Sequence, residues 1–352
     1  MKRRETDNDY FSLLRMLDRL ARQRGQTIDD ASISADLLAG ISRAIADHKK
    51  NPIRLHGLRA QEMFAHVAAS LGRCRAITEE DSGTMFTMDD GTRRPDFRVV
   101  TLQGTQFFVE VKNCHYKDPS KAYRIKSAYV TGLQKYSDCM GVPLKFAVYW
   151  SRWNIWTLLD ASLISSCGRD LAIKMTQAVK LNDMASLGDC MVGTAPPLTV
   201  RLYADPTKPR RLQPDDTAPF TISRIEFYAG GERIEDSFEE RLAWFFILYG
   251  DWGEIGSPAE IVNGDVEYIE FQHGPSEEED NSQPFSIVGS LSSMISRQYG
   301  DSTVVGGNVA LLTPPSGPDQ LGVLIPEDYK GAVLKLWRFT VRPSTENRHE
   351  EG

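Results

Sequence analysis

Two carboxylates and a lysine have the residue types and spacing that phosphate chemistry needs. Asp96 is followed, after a gap of 13 residues, by Glu110, Val111 and Lys112. Side chains alternate along a strand, so Glu110 and Lys112 share one face and Val111 points to the other. A turn at Gln103-Gly104 would return Asp96 to the second carboxylate, forming an oxygen-rich group that suits Mg²⁺.

Chemistry at such a group would act on a phosphoryl centre. A metal bound there can lower the pKa of a water molecule and stabilise charge on a phosphoryl group. Lys112 can orient that water, act on its proton or neutralise the transition state. The residue types therefore favour hydrolysis of a phosphate ester.

Helices and strands around these residues must hold them in place. Hydrophobic periodicity and turn residues predict them in the order helix 58–71, short strand 84–87, hairpin strands 96–102 and 106–112, helix 121–140, and strands 144–150 and 154–159. The order helix, hairpin, helix and strand predicts an α/β domain with a mixed central sheet flanked by helices.

The residues on this hairpin resemble the motif of the PD-(D/E)XK nuclease superfamily, whose fold is restriction-endonuclease-like. The matching pieces are Pro95-Asp96 and Glu110-Val111-Lys112, within a region of about 58–160. Residues 132–136, Gly-Leu-Gln-Lys-Tyr, look like the next helix in the Holliday-junction-resolvase-like and restriction branches. The resemblance implies that Asp96 and Glu110 are metal ligands, that Val111 lends its carbonyl and that Lys112 is the catalytic lysine.

Two further residues enter through the same resemblance. Some members add an acidic residue from the first helix, which implies Glu62 as a metal ligand and catalytic residue; a surface glutamate is the alternative. Gln134 matches a glutamine that some members carry in the second helix. The Q-x-x-x-Y pattern of one exonuclease branch is incomplete, because residue 138 is Asp.

Positive charge surrounds the motif. Residues 112–135 contain six Lys and Arg against one Asp, with His115, Tyr116 and Tyr123 interleaved. Such a patch can contact phosphates, and its aromatic rings can stack on bases. A solvated helix face is the alternative interpretation. The predicted nucleic-acid contacts are His115, Lys117, Lys121, Arg124, Lys126, Gln134 and Lys135.

Composition places the chain among globular proteins and divides it by charge. It has 352 residues, 41% hydrophobic and 25% charged. The net charge of -7 splits into +6 for residues 1–200 and -13 for residues 201–352. No apolar run is long enough to span a membrane, and no secretory signal is evident. Five cysteines without a C-x-x-C pair predict reduced thiols and a cytoplasmic protein.

The predicted domains are an N-terminal helical extension 1–50, a nuclease-like domain 51–195 and an acidic α+β domain 196–345. Helices 10–24 and 31–49 form either a docking or dimerisation arm or a pair packed on the next domain. Prolines between 196 and 219 predict a loop-rich linker. Beyond it we expect helix 236–249, strands 267–271, 304–312 and 333–341, a polar loop at 277–280 and ten disordered C-terminal residues.

The leading hypothesis is a Mg²⁺-dependent endonuclease that hydrolyses DNA with metal-activated water, Mn²⁺ being able to substitute. A bacterial defence, restriction or DNA-repair setting is expected. The alternative is a catalytically silent nuclease-fold module that binds nucleic acid or a protein partner. Expected partners are DNA, a second copy in a homodimer, and a protein that meets the acidic C-terminal domain, which recognises a partner or regulates the nuclease.

Overall fold

The computed structural model describes residues 1–3, 9–80, 84–167, 170–215, 217–276 and 283–343. Its helices are α1 Asp9–Arg24, α2 Ala31–Lys49, α3 Pro52–Ser70, α4 Ser127–Met140, α5 Met175–Lys180, α6 Ser237–Tyr249 and α7 Leu291–Thr303. The strands of the first half are β1 Cys74–Glu79, β2 Phe97–Thr101, β3 Gln106–Cys114, β4 Tyr123–Lys126, β5 Leu144–Trp150, β6 Ile155–Asp160, β7 Ser165–Cys167, β8 Asp170–Ile173 and β9 Met191–Thr194. Those of the second half are β10 Leu198–Ala204, β11 Ile222–Ala229, β12 Glu232–Ile234, β13 Gly253–Gly256, β14 Ala259–Val262, β15 Asp265–Gly274, β16 Ser286–Ser290, β17 Val304–Val305, β18 Asn308–Val309 and β19 Leu336–Phe339.

A mixed five-stranded sheet in the order β1-β2-β3-β5-β6 carries the motif. The β2–β3 hairpin is antiparallel, with Phe97 opposite Val109, whereas β3 and β5 are parallel, with Glu110 opposite Phe146. Helix α4 connects the parallel pair, as such a crossover requires. The predicted order of helix, hairpin, helix and strand is therefore confirmed. So is the fold class, an α/β core with a mixed sheet, a helical N-terminal extension and a second α+β unit.

The two faces of this sheet follow from strand alternation. Phe107, Val109 and Val111 join a buried cluster that includes Phe64 and Val67 of α3. Phe108 lies on the opposite face, in a second cluster with Leu133 and Tyr136 of α4. Glu110 and Lys112 share the parity of Phe108, so they face α4 rather than α3.

Two predictions in the first half are wrong. Residues 84–87 form no strand, and the segment predicted as the start of a helix at 121 is strand β4, which pairs with β8. In β4 the side chain of Ile125 is buried while Arg124 and Lys126 are exposed, the alternation of a half-buried strand. Helix α4 consequently begins six residues later than predicted, at Ser127.

The second half is built on an antiparallel sheet in the order β12-β11-β10-β15-β13, with β14 also paired to β15. Strand β10 is central to that sheet, so the linker predicted over 196–219 is wrong across Leu198–Ala204. Its prolines lie beside the strand rather than in it. The strand predicted over 304–312 is instead the small hairpin β17–β18, because Gly306 and Gly307 take positive φ and reverse the chain.

One hydrophobic cluster crosses the boundary predicted at residues 195 and 196. It contains Phe64 and Trp156 from the first half and Phe246, Met294 and Leu334 from the second. Trp156 Nε1 also donates a hydrogen bond to Ser296 Oγ at 2.9 Å. The domain limits 1–50, 51–195 and 196–345 stay predictions, and the packing joins the last two through a common core.

The remaining expectations concern the termini and the acidic loop. Asp30 caps α2 by accepting hydrogen bonds from the backbone and hydroxyl of Ser32. The predicted polar loop at 277–280 and residues 344–352 of the predicted disordered terminus lie outside the described residues. In the parts of the chain that the structure describes, no helix combines the length and apolarity needed to cross a lipid bilayer.

Candidate active site

The hairpin brings Asp96 to the middle of the E-x-K segment. The β2–β3 ladder ends at the pair of Phe97 and Val109, and beyond it the Asp96 carboxylate accepts a hydrogen bond from the backbone N–H of Val111 at 2.6 Å. The backbone groups of Phe108 and Cys114 bond to the β5 side. Alternation therefore turns the N–H and C=O of Val111 toward Asp96. This backbone geometry is compatible with the prediction that the Asp96 carboxylate and the Val111 carbonyl lie close together.

Glu110 is the buried carboxylate of the site, with 1% of its surface exposed. Its Oε1 accepts a hydrogen bond from the Tyr129 hydroxyl at 2.6 Å and forms an ion pair with the Lys112 ammonium. Its Oε2 is buried and has no hydrogen-bond partner among the described residues. A buried charged oxygen without a partner is costly, so this atom is suited to a cation.

Lys112 and Tyr129 form a second contact at the site. The Lys112 side chain is 20% exposed, and its Nζ lies 4.9 Å from the centre of the Tyr129 ring. The Arg93 guanidinium lies 5.2 Å from the same ring. Burial raises the pKa of the Tyr129 hydroxyl, and the negative charge of Glu110 raises it further. The phenol therefore stays protonated at neutral pH and remains a hydrogen-bond donor.

The loop that carries Arg93 packs closely on α4. Arg93 N–H donates to the Gly132 carbonyl at 2.9 Å, and Lys135 Nζ donates to the Asp90 carbonyl at 2.9 Å. A Cβ at Gly132 would lie 2.5 Å from the Gly91 carbonyl oxygen. The Gly-Leu-Gln-Lys-Tyr stretch thus provides the close approach that fixes the loop before Asp96.

The donor set fits a magnesium ion better than a metal that needs an all-protein cage. Within the described ranges no group of three or more His, Cys, Asp and Glu side chains converges on one point. Mg²⁺ is usually held by one or two carboxylates with substrate phosphate and water. Asp96, Glu110 and the Val111 carbonyl would supply such a partial set, and the Oε2 of Glu110, which has no partner in the described part of the chain, is consistent with it.

Glu62 is placed differently from the other candidate ligands. Helix α3 packs on the sheet face that carries Val109 and Val111, opposite the side chain of Glu110. Burial raises the pKa of Tyr299 in α7, and the negative charge of Glu62 raises it further. The contacts described around Glu110 do not include Glu62, whose role as a ligand and catalytic residue stays a prediction.

The predicted nucleic-acid contacts are all exposed and begin where β3 ends. The His115 and Tyr116 rings meet edge to face at 5.7 Å, and Lys121 Nζ lies 4.2 Å from the Tyr116 ring centre. Gln134 is turned toward its own helix, donating to Asp138 at 2.8 Å. Exposure allows these residues, with Lys117, Arg124, Lys126 and Lys135, to meet a polyanion, and their binding role stays a prediction.

Sequence reasoning missed Tyr129 and Arg93. The helix predicted from residue 121 hides the fact that Tyr129 lies in the first turn of α4, where it can reach β3. Arg93 gives no local signal, because its place depends on a loop folding back onto that helix. Tyr129 gives no local signal either, because it reaches β3 only as a result of the start of α4 at Ser127.

Comparison with solved structures finds a likeness to a nuclease, whereas the comparisons with family models and curated proteins find no match. A solved structure of Hjc, a Holliday junction resolvase from the archaeal hyperthermophile Archaeoglobus fulgidus, is similar over 34% of this chain and 89% of its own, with 15% identity and a TM-score of 0.28. A similarity this slight does not relate the two sites residue by residue.

Proposed function

We propose that the chain is a metal-dependent nuclease of the PD-(D/E)XK superfamily that hydrolyses phosphodiester bonds in DNA. The observation that supports it best is the meeting of Asp96, Glu110 and Lys112 where β2 and β3 part, with one buried oxygen of Glu110 left without a partner among the described residues. Structural ion pairs normally satisfy both oxygens of a buried carboxylate. A carboxylate left incomplete beside a lysine is typical of a site built for a cation and an anionic substrate.

Each residue has a role in this proposal. When bound, Mg²⁺, or Mn²⁺ in its place, supplies Lewis-acid stabilisation of charge on the phosphoryl group. Asp96, Glu110 and the Val111 carbonyl hold the ion. Lys112 orients the attacking water and neutralises charge as the bond from phosphorus to the leaving oxygen breaks. Its partial exposure leaves the ammonium accessible to substrate while Glu110 anchors it.

The DNA approaches, in this proposal, along the exposed basic residues that follow β3. Their contacts with phosphates give affinity that falls with salt. The half of the chain with net charge -13 repels a polyanion, so we assign it to recognition of a protein partner or to regulation. Two copies would pair to cut both strands, as an endonuclease in bacterial defence, restriction or DNA repair.

Cleavage by matched variants tests the proposal. Purified protein is incubated with supercoiled and linear DNA in Mg²⁺, Mn²⁺ or EDTA, beside Asp96→Ala and Lys112→Ala. Lys180→Ala, an exposed lysine of α5, is the control. We expect metal-dependent cutting, slowed at least about 100-fold in the two site variants and unchanged in the control. Nicked or linearised circles would identify endonuclease action.

Two results would contradict the proposal. Equal cutting by the parent and by Lys112→Ala would mean that the activity comes from elsewhere. No cutting with any metal, combined with DNA binding that both site variants retain, would favour the catalytically silent binding module.

A further inference from the structure

We propose that Tyr129 is a positioning residue that orients Glu110 for metal binding. The inference rests on the proposed function and adds a residue to its site. Tyr129 donates to Oε1 of Glu110, the oxygen that also pairs with Lys112. Both donors therefore hold one oxygen and leave the other, Oε2, without a partner among the described residues.

The asymmetry of these bonds carries the inference. A carboxylate has about four lone-pair positions on two equivalent oxygens, so its two donors need not share an atom. Here the hydroxyl and the ammonium both fall on Oε1, which fixes the rotation of the carboxylate group. Without the hydroxyl, only the flexible lysine would remain to define that rotation.

Tyr129 is itself held in place. It lies in the first turn of α4, whose buried Leu133 and Tyr136 pack under the central sheet. Lys112 and Arg93 both approach its ring within the distance of a cation–π contact. A rigid helix thus presents the hydroxyl to a buried carboxylate. Mutation of a group that orients a metal ligand in this way typically lowers metal affinity or activity by about 10- to 100-fold.

The same helix offers a matched control. Tyr136 also donates its hydroxyl to a carboxylate, Glu80 Oε2 at 2.7 Å, but Glu80 pairs with Arg98 rather than with Lys112. Tyr136→Phe therefore removes the same atom from the same helix without touching Glu110. A purely structural role for tyrosine hydroxyls on α4 predicts the same effect from both substitutions.

Manganese binding without nucleic acid provides the test. The dissociation constant of Mn²⁺ is measured by electron paramagnetic resonance for the full chain and for Tyr129→Phe, Tyr136→Phe and Glu110→Gln. Melting temperatures confirm that each variant is folded. We expect Tyr129→Phe to weaken Mn²⁺ binding about 10-fold, Tyr136→Phe to leave it within about twofold, and Glu110→Gln to weaken it most.

The outcomes separate this inference from the function beneath it. If Glu110→Gln loses Mn²⁺ and Tyr129→Phe binds it like the parent, the inference is wrong and the proposed function stands. Equal weakening by the two tyrosine variants also overturns it, because the effect then belongs to the helix. A parent protein that binds no Mn²⁺ overturns this inference, and the proposed function is then decided separately by metal-dependent cleavage of DNA.

Discussion

The carboxylates of Asp118 and Glu110 differ in their hydrogen bonds. Asp118 is exposed and accepts from the hydroxyl and backbone N–H of Ser120, which closes a turn and lowers the pKa of Asp118. Glu110 is buried, and one of its oxygens has no such partner in the described structure. Burial together with incomplete pairing therefore distinguishes Glu110 from Asp118 and makes it the candidate for binding a cation.

The positions of Asp96, Glu110 and Lys112 can be predicted because they depend only on one hairpin. Strand alternation places Glu110 and Lys112 on one face, and a single turn returns Asp96 to them; the structure confirms both placements. Tyr129 and Arg93 join them only after a helix and a loop have packed together, and no local pattern encodes that contact. The metal-binding and catalytic roles themselves stay predictions.

Among single residues, His66 should make the stability of the protein depend on pH. We expect the free energy of unfolding to fall when the pH is lowered. The His66 ring is 3% exposed, and its Nε2 has no partner among the described residues. Burial lowers the pKa of His66 below its ordinary 6.5. The unfolded chain therefore takes up the proton first. The stability contributed by the neutral ring is present above about pH 6.5 and is lost as the pH falls below it.

Melting temperatures at pH 7.5 and 5.5 measure this effect. We expect a drop for the parent that is smaller in His66→Gln, corresponding to at most about 1.4 kcal/mol for each pH unit below the unfolded pKa. His115→Gln, at an exposed position, should keep the full drop. A His66→Gln protein with the parent's pH dependence would contradict the prediction.

Helices and strands can be predicted where their own sequence pattern identifies them. The prediction fails more often where pairing with a distant segment determines the structure. Burial alternates along β2, whereas β3, β5 and β6 are short, mostly buried runs bounded by turn residues, and the sequence predicts all four strands. Strand β4 has only four residues and lies directly before helix α4. Its sequence therefore looks like the first turn of that helix. Its backbone bonds are completed by β8, some fifty residues away, and that pairing overrides local propensity.

Helix α4 gives a prediction about the loop before the motif. Gly132→Ala would place a methyl group 2.5 Å from the Gly91 carbonyl oxygen, so the loop leading to Asp96 must move. We expect a loss of about 1–3 kcal/mol in the free energy of unfolding, as for other overpacked sites. The proposed nuclease activity should fall with it, because Arg93 and Asp96 belong to the displaced segment.

Gly40→Ala in α2 is the matched comparison, since nothing lies within 4 Å of its added Cβ. There we expect a gain of about 0.5–1 kcal/mol from helix propensity. Urea unfolding of both variants provides the measurement. The close-approach account fails if Gly132→Ala is as stable as Gly40→Ala.

On the scale of the whole molecule, charge and packing divide the chain in different ways. Composition changes near residue 195, but Trp156 bonds to Ser296 and Asn154 bonds to Ser293 across that point. Charge is a surface property that can be read from the sequence. Whether two halves share one hydrophobic core depends on which apolar faces pack together. The fold of each half is therefore easier to predict from the sequence than the packing between the halves.

Residues 1–195 alone should therefore not form a stable protein. Removing the second half exposes Trp156, which donates a hydrogen bond to Ser296 of α7, and His66, whose ring meets that of Tyr299 in α7. We expect the fragment to lack the cooperative thermal transition of the full chain when both are followed by circular dichroism. A sharp transition in the fragment, near the parent's melting temperature, would show instead that residues 51–195 fold independently.

The shared core also affects how the protein is made. Leu334 belongs to the same cluster as Phe64, so this core cannot close until residue 334 has left the ribosome. Synthesis at about 5–20 residues per second puts roughly 10 to 35 s between the emergence of β6 and that of Leu334. Throughout that interval the nascent sheet carries an uncovered apolar surface. Apolar surface exposed during synthesis is prone to aggregation until the second half has packed against it.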